Sequence, residues 1–156
     1  MKRVLEVGMA LLGFIAFSTI VAAQPPVWHL LSHGFGNLKV AAVAVDPRNP
    51  RLIYTGAGGT VYRSEDGGGA WRPTFRAPAS GTIQWLAIDP FDARHVVAAT
   101  SGGLYGSTDG GSHWQRLFRG AGAGESNCQT LLFHPARRHT VWLGTAGGHG
   151  SRPERG

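Results

Sequence analysis

The feature that most constrains this chain is an internal repeat of 43 residues. Trp28, Trp71 and Trp114 stand 43 apart, and the same interval separates Asp46-Pro47 from Asp89-Pro90, Tyr62 from Tyr105, Ser64 from Ser107 and Asp66 from Asp109. A period of this size marks an array whose units bury their apolar faces only against one another. Within each period, short apolar runs rich in β-branched and aromatic residues end at Gly or Pro, the pattern of strands joined by tight turns. The first unit reads as strands at residues 40–45, 52–55, 60–63 and 71–75. The second reads as strands at 83–88, 96–100, 104–105 and 114–118. A third unit opens with residues 130–133, the His134-Pro135 turn and residues 140–143, and then loses the pattern. Ser151 falls one residue early, Pro153 occupies the aspartate position, and the closing tryptophan is missing. Ahead of the first unit, residues 27–35 correspond to a lone outer strand. No stretch after residue 23 has a helical period. The chain therefore reads as all-β, with units at 40–76 and 83–119, a partial unit at 128–148, and a tail at 149–156.

Residues 1–23 have a different character. Lys2 and Arg3 precede an apolar stretch from about Val7 to Ala23, and Val21-Ala22-Ala23 places compact residues before Gln24-Pro25-Pro26. That is the layout of a secretory signal peptide. An uncleaved membrane anchor is the alternative, since roughly 17–25 apolar residues span a bilayer. Export follows from either. No cysteine follows the apolar run, so no lipoprotein attachment site is present. Cys128 is the only cysteine, which excludes an intramolecular disulfide, and its place before an apolar run suits a small buried residue.

Two segments share the pattern S-x-D-x-G-x-x-W: Ser64, Asp66, Gly68 and Trp71 in the first unit, and Ser107, Asp109, Gly111 and Trp114 in the second. Ser and Asp side chains hydrogen-bond the backbone of a turn, and Gly supplies positive φ without a Cβ clash. The Trp then opens the next strand and covers the hairpin. These residues are read as fold-stabilising. The motif resembles the Asp-box (bacterial neuraminidase) repeat, which implies the hairpin between third and fourth strands of a β-propeller blade. The wider units resemble sortilin-type and photosystem II assembly-factor propellers and the propellers of xyloglucan-degrading glycosidases. The resemblance covers about residues 27–148 and implies blades of four antiparallel strands, about two and a half of them plus one strand. It implies much less about function, because one architecture hosts many activities.

Without Lys2, Arg3 and Glu6, 13 basic residues stand against 8 acidic ones, and 12 of the 13 are Arg. They are scattered rather than clustered in a run, which with export argues against nucleic acid. Anionic glycans or cell-surface polymers fit the charge better. Arg48 and Arg51 lie in the turn after the first strand of one unit, and Arg137 and Arg138 in the corresponding turn of the third. Like arginines in like turns would gather on one face of a stacked array, a candidate protein- or glycan-binding surface. Plain solvation of exposed turns is the competing account.

No catalytic, cofactor or metal site is assigned. Glycoside hydrolysis usually needs two carboxylates facing one site. Here Asp46 and Asp89 lie in turns, Asp66 and Asp109 in the boxes, Glu65 beside one of them, and Asp92, Glu125 and Glu154 in loops or the tail. The xyloglucan-degrading relatives place a catalytic Asp just after the second strand, whereas residues 54–63 contain no carboxylate. A calcium loop needs six to eight oxygens, and each box offers about two, already used by the turn. The seven histidines (His29, His33, His95, His113, His134, His139 and His149) share no ligand spacing. Two functions remain: an exported, non-catalytic propeller module that docks proteins or glycans, and the N-terminal part of a secreted glycoside hydrolase. Since propellers close with 4–8 blades, the chain is expected to be a fragment of a longer protein or to assemble with other copies. The isolated mature chain is expected to aggregate through open strand edges, which a broad, concentration-dependent thermal melt would reveal.

Overall fold

In a computed structural model of the chain, the residues described are 35, 37–120, 123–138 and 140–147. The expected leader, Trp28 and the rest of the lone strand up to residue 34, the tail at 149–156, and His29, His33, His139 and His149 lie outside them. Among the described residues ten strands follow one another. β1 (Val40–Asp46), β2 (Asn49–Ala57), β3 (Thr60–Ser64) and β4 (Arg72–Arg76) form one antiparallel sheet in sequence order. β5 (Ile83–Asp89), β6 (Asp92–Thr100), β7 (Gly103–Ser107) and β8 (Gln115–Phe118) form a second sheet of the same kind. β9 (Cys128–Phe133) and β10 (Val141–Thr145) make an antiparallel pair. The all-β reading and the four-stranded units hold. Among the described residues, helix is confined to a 3-10 turn at Pro78–Ser80 and a single turn, α1 (Ala123–Ser126), which are too short to leave a period in the sequence.

The second strands start three to four residues earlier than the apolar runs indicate. The cause is the turn that precedes them. The Asp46 carboxylate accepts the Arg48 N–H at 3.0 Å, and Asp89 accepts the Phe91 N–H at 2.7 Å. Each closes a two-residue turn, so pairing resumes at once, with Asp46 opposite Asn49 and Asp89 opposite Asp92. In the third unit His134 takes over the task. Its Nδ1 accepts the N–H groups of Ala136 and Arg137 at 3.0 Å each, which places the ring proton on Nε2.

Both faces of the second sheet are apolar, and successive sheets stack through them. Tyr54, Val61, Ala42 and Leu52 of the first sheet meet Leu86, Ile88, Val96 and Ala98 of the second. The other face of the second sheet, with Val97, Ala99 and Leu104, meets Cys128, Leu131 and Phe133 of the third. Gly56 permits the first contact, because a Cβ there would lie 2.4 Å from Cγ2 of Ile83. Cys128 is fully buried at this boundary, and burial raises its thiol pKa, in keeping with a packing role.

Equivalent positions show what a neighbour contributes. Leu86 and Leu131 are each 3% exposed, whereas Val43, at the same place in the first unit, is 46% exposed. Burying a side chain of this kind is worth about 1.5–3 kcal/mol, so the first unit forgoes that gain at each such position. Aromatic contacts repeat in the same way. Phe75 of the first unit packs on Tyr105 and Trp114 of the second, each with ring centroids 4.9 Å away. Phe35 makes the equivalent pair of contacts with Tyr62 and Trp71, both at 5.1 Å. Phe118, the counterpart of Phe75, is exposed. Phe75→Ala is therefore expected to lower stability by about 2–3 kcal/mol, and Phe118→Ala by less than about 1 kcal/mol. Urea melts of the two variants check this, and equal losses would contradict the stacking account.

Candidate functional site

The two S-x-D-x-G-x-x-W segments connect β3 to β4 and β7 to β8 with nearly the same hydrogen bonds. In the first, the Ser64 hydroxyl donates to Asp66 Oδ1 at 2.7 Å and accepts the Gly68 N–H at 2.8 Å. Asp66 Oδ1 also accepts the Ala70 N–H at 3.0 Å. In the second, Ser107 donates to Asp109 at 2.8 Å and accepts from Gly111 at 2.8 Å, while Asp109 accepts the N–H groups of Ser112 and His113 at 2.9 Å each. Gly67, Gly68, Gly110 and Gly111 all have positive φ, between 73° and 97°, a conformation in which a Cβ would be strained. Backbone bonds from Gly67 to the Arg51 carbonyl and from Gly110 to the Arg94 carbonyl, both 2.9 Å, tie each hairpin to its second strand.

These bonds depress both aspartates. Asp66 is held below the ordinary carboxylate range by the Ala70 N–H first and the Ser64 hydroxyl next. Asp109 is held far below it by the His113 N–H, then the His113 ring and Ser107. His113 Nδ1 lies 2.5 Å from Asp109 Oδ2. The tryptophans differ. Trp114 donates its Nε1–H to the Gly111 carbonyl at 3.1 Å and stacks on Phe75 at 27°. Trp71 tilts 52° against Phe35, and its Nε1–H, like the Arg63 Nε–H, is buried without a hydrogen-bond partner among the described residues. Both residues line a cleft of about 360 Å³ with Glu65, Asp66, Ala70 and Arg72.

Of the four arginines in the candidate binding turns, two reach a common residue, Phe91. The Arg48 guanidinium donates to the Phe91 carbonyl at 3.2 Å, and the Arg138 guanidinium lies 5.0 Å from the centre of the Phe91 ring. Phe91 occupies the second unit's version of the Arg48 turn, so the turns of three successive units converge. Arg51 and Arg137 are exposed; the Arg51 carbonyl accepts from the first hairpin, and the Arg137 N–H donates to His134 Nδ1. Phe91 follows Arg48 by 43 residues, the one signal in the sequence that marks it as a member of the same set of turns.

The carboxylates are engaged in local structure. Asp92 is held by Arg94 at 2.9 Å, and Glu65 by Arg63 at 2.7 Å and by Arg72 at 3.5 Å. Asp89 is buried with His95 Nδ1 3.6 Å away. Residues 54–63 form the end of β2, a Gly58-Gly59 turn and most of β3. Among the described residues, no three of His, Cys, Asp and Glu converge as a metal site, and no helix is long and apolar enough to cross a membrane.

Similarity to solved structures now bears on the fold. No protein-family model and no curated protein matches the sequence. An ancestral GH74 enzyme is similar over 68% of this chain and 16% of its own length, at 26% identity and a TM-score of 0.58. A GH74 enzyme from Niastella koreensis is similar over 68% of this chain and 19% of its own, at 24% identity and a TM-score of 0.56. YCF48 from Cyanidioschyzon merolae matches 70% of this chain with 36% of its own, at 21% identity and a TM-score of 0.54. The fold is that of β-propeller blades. The described residues make two blades and the first half of another, and the chain spans less than a fifth of either GH74 enzyme.

Ser107→Ala is expected to destabilise the chain by about 1–3 kcal/mol, because the buried Gly111 N–H loses its acceptor. Asp109→Asn tests the charge. A depressed carboxylate stabilises the fold fully above its unfolded value of 3.8 and loses that contribution as pH falls through the folded value. The stability gap between wild type and Asp109→Asn should thus be largest at neutral pH and shrink below about pH 4. A gap that stays constant in denaturant melts across that range would contradict the assignment.

Proposed function

We propose that this chain is an exported, non-catalytic module of Asp-box β-propeller blades that binds a protein or glycan ligand of anionic character. The observation that carries the reading is the convergence of Arg48 and Arg138 on Phe91. It gathers guanidinium groups and an aromatic ring from three successive blades onto one set of turns. Arg forks bind carboxylates and sulfates through paired N–H donors, and an aromatic face suits the apolar side of a sugar ring or a peptide side chain. The leader supports export. The carboxylates support a non-catalytic role, because Asp66 and Asp109 accept hydrogen bonds within their turns and Asp92 and Glu65 are ion-paired.

The test is retention of the purified chain on immobilised sulfated or uronic-acid polysaccharide, with xyloglucan as the neutral comparison. Retention is expected on the anionic polymer, weakening with salt because the contacts are exposed. The double variant Arg48→Ala/Arg138→Ala should lose about tenfold in affinity, equivalent to roughly 1.4 kcal/mol. Equal retention of wild type and variant would remove the turn face from the account.

A second reading, part of a secreted glycoside hydrolase, is supported by the likeness to the ancestral GH74 enzyme. Its test is release of reducing sugar from xyloglucan by a longer protein that carries this chain. Binding without release by that protein favours the first reading.

A further inference from the structure

The capped turns and the S-x-D-x-G-x-x-W hairpins lie at one end of the strands, so the crossover at residues 77–82 and the β6–β7 turn lie at the other. At that other end, where the first and second blades meet, is a cleft of about 440 Å³. Pro78 and Ala79 of the crossover line it, with Ser101, Tyr105, Arg116 and Arg119 of the second blade and the connection after it. The crossover is held in place from both sides. The Ser101 N–H donates to the Thr82 carbonyl at 3.1 Å, and the Ser101 hydroxyl accepts the Thr82 N–H at 3.0 Å. The Ala77 N–H donates to the Gly59 carbonyl at 2.9 Å, and the Gly81 N–H to the Pro78 carbonyl at 3.0 Å. Between these bonds Ala79 sits in the left-handed region, with φ 50° and ψ 43°, alone among the described non-glycine residues. Such a conformation persists only where its surroundings over-determine it, and it clusters at ligand sites. The polar lining is not a demand of the repeat. Forty-three residues earlier, Ser101 and Arg116 correspond to Gly58 and Pro73, so a blade forms without a hydroxyl or a guanidinium at those positions. Arg116 and Arg119 are exposed, and the lining residues include no carboxylate. Glu125, in α1, has an interaction of its own and does not line the cleft.

We propose that this cleft binds one acidic sugar unit, whose carboxylate or sulfate is held by Arg116 and Arg119. Each guanidinium offers a planar fork of N–H donors that matches an oxyanion and stays charged at every physiological pH. The Ser101 hydroxyl accepts from Thr82 and keeps its own proton to donate to the ligand. Pro78 and Ala79 supply apolar surface for the carbon side of a sugar ring, and the volume lies in the range of small-molecule sites, roughly 300–1,000 Å³. An extended peptide is typically held by a row of backbone N–H and C=O groups along a strand edge. Here the donors are side chains gathered about one cleft, which suits a compact charged unit. The site stands at the opposite end of the strands from Arg48, Phe91 and Arg138 and does not depend on them.

The experiment titrates the full chain by calorimetry with a glucuronic-acid disaccharide, a sulfated disaccharide, a neutral disaccharide, inorganic sulfate and a triglutamate peptide. Saturable one-to-one binding of an acidic disaccharide is expected, about tenfold or more tighter than the neutral sugar, sulfate or peptide. Arg116→Gln and Arg119→Gln should each weaken it by about tenfold, while Arg48→Ala/Arg138→Ala binds as the wild type does. Should Arg116→Gln lower the thermal melt, Arg116→Lys keeps the charge, removes the fork, and is expected to weaken binding in the same direction. Absence of saturable binding, or equal binding by wild type and the Arg116 and Arg119 variants, would overturn the proposal. Sulfate or triglutamate binding as tightly as the sugars would overturn it too, since the cleft would then recognise charge alone or a peptide. Loss of binding in Arg48→Ala/Arg138→Ala alone would move the sugar to the turn face and leave this cleft without a ligand.

Discussion

A four-stranded sheet with apolar side chains on both faces cannot bury either one by itself, and the rest of this structure depends on that constraint. The second blade satisfies it twice, against Ala42 and Tyr54 on one side and against Leu131 and Phe133 on the other. The first blade satisfies it fully on one side only. Val43 and Val45 are exposed where Leu86 and Ile88 are buried, although the residues are similarly apolar and the backbone is the same. Burial here is a property of the neighbour. That is the energetic logic of repeat arrays, in which stability is a sum over units and the contacts between them.

The hairpins convert that logic into geometry. Ser64 and Ser107 each bridge an aspartate and a glycine N–H across a turn, and positive-φ glycines let the backbone close around them. The result is a tip compact enough for Tyr54 of the preceding blade to reach the Gly110 carbonyl. The conspicuous residues of the motif thus spend their hydrogen bonds inside the turn. Where the surroundings differ, the motif differs with them. Trp114 finds Phe75 and an acceptor, while Trp71, against Phe35, finds the ring contact without an acceptor among the described residues.

The turns at the other end of the strands have more freedom to vary. The task of Asp46 and Asp89 is to cap a two-residue turn, and His134 performs it with a ring nitrogen. With the cap provided, the exposed turn positions can diverge, and they hold Arg48 in one blade, Phe91 in the next and Arg138 in the third. Stacking brings them into contact. Recognition surfaces tend to arise in such loops, which a rigid scaffold positions without dictating their side chains.

The 43-residue period, the strand order and the hairpin motif were legible in the sequence because each is local. A turn needs particular residues at fixed offsets, and a strand needs a short apolar run. The tandem interval then implies stacking before any contact is seen. The strand limits at Asn49 and Asp92 were less legible, since there a side-chain cap extends pairing beyond the apolar run. Only the tertiary structure decided that Phe91 joins Arg48 and Arg138, that Trp71 and Trp114 part company, and that Val43 is exposed while Leu86 is buried. Those outcomes depend on which surface lies opposite, between residues tens of positions apart, and a residue's own type and near neighbours carry no record of it.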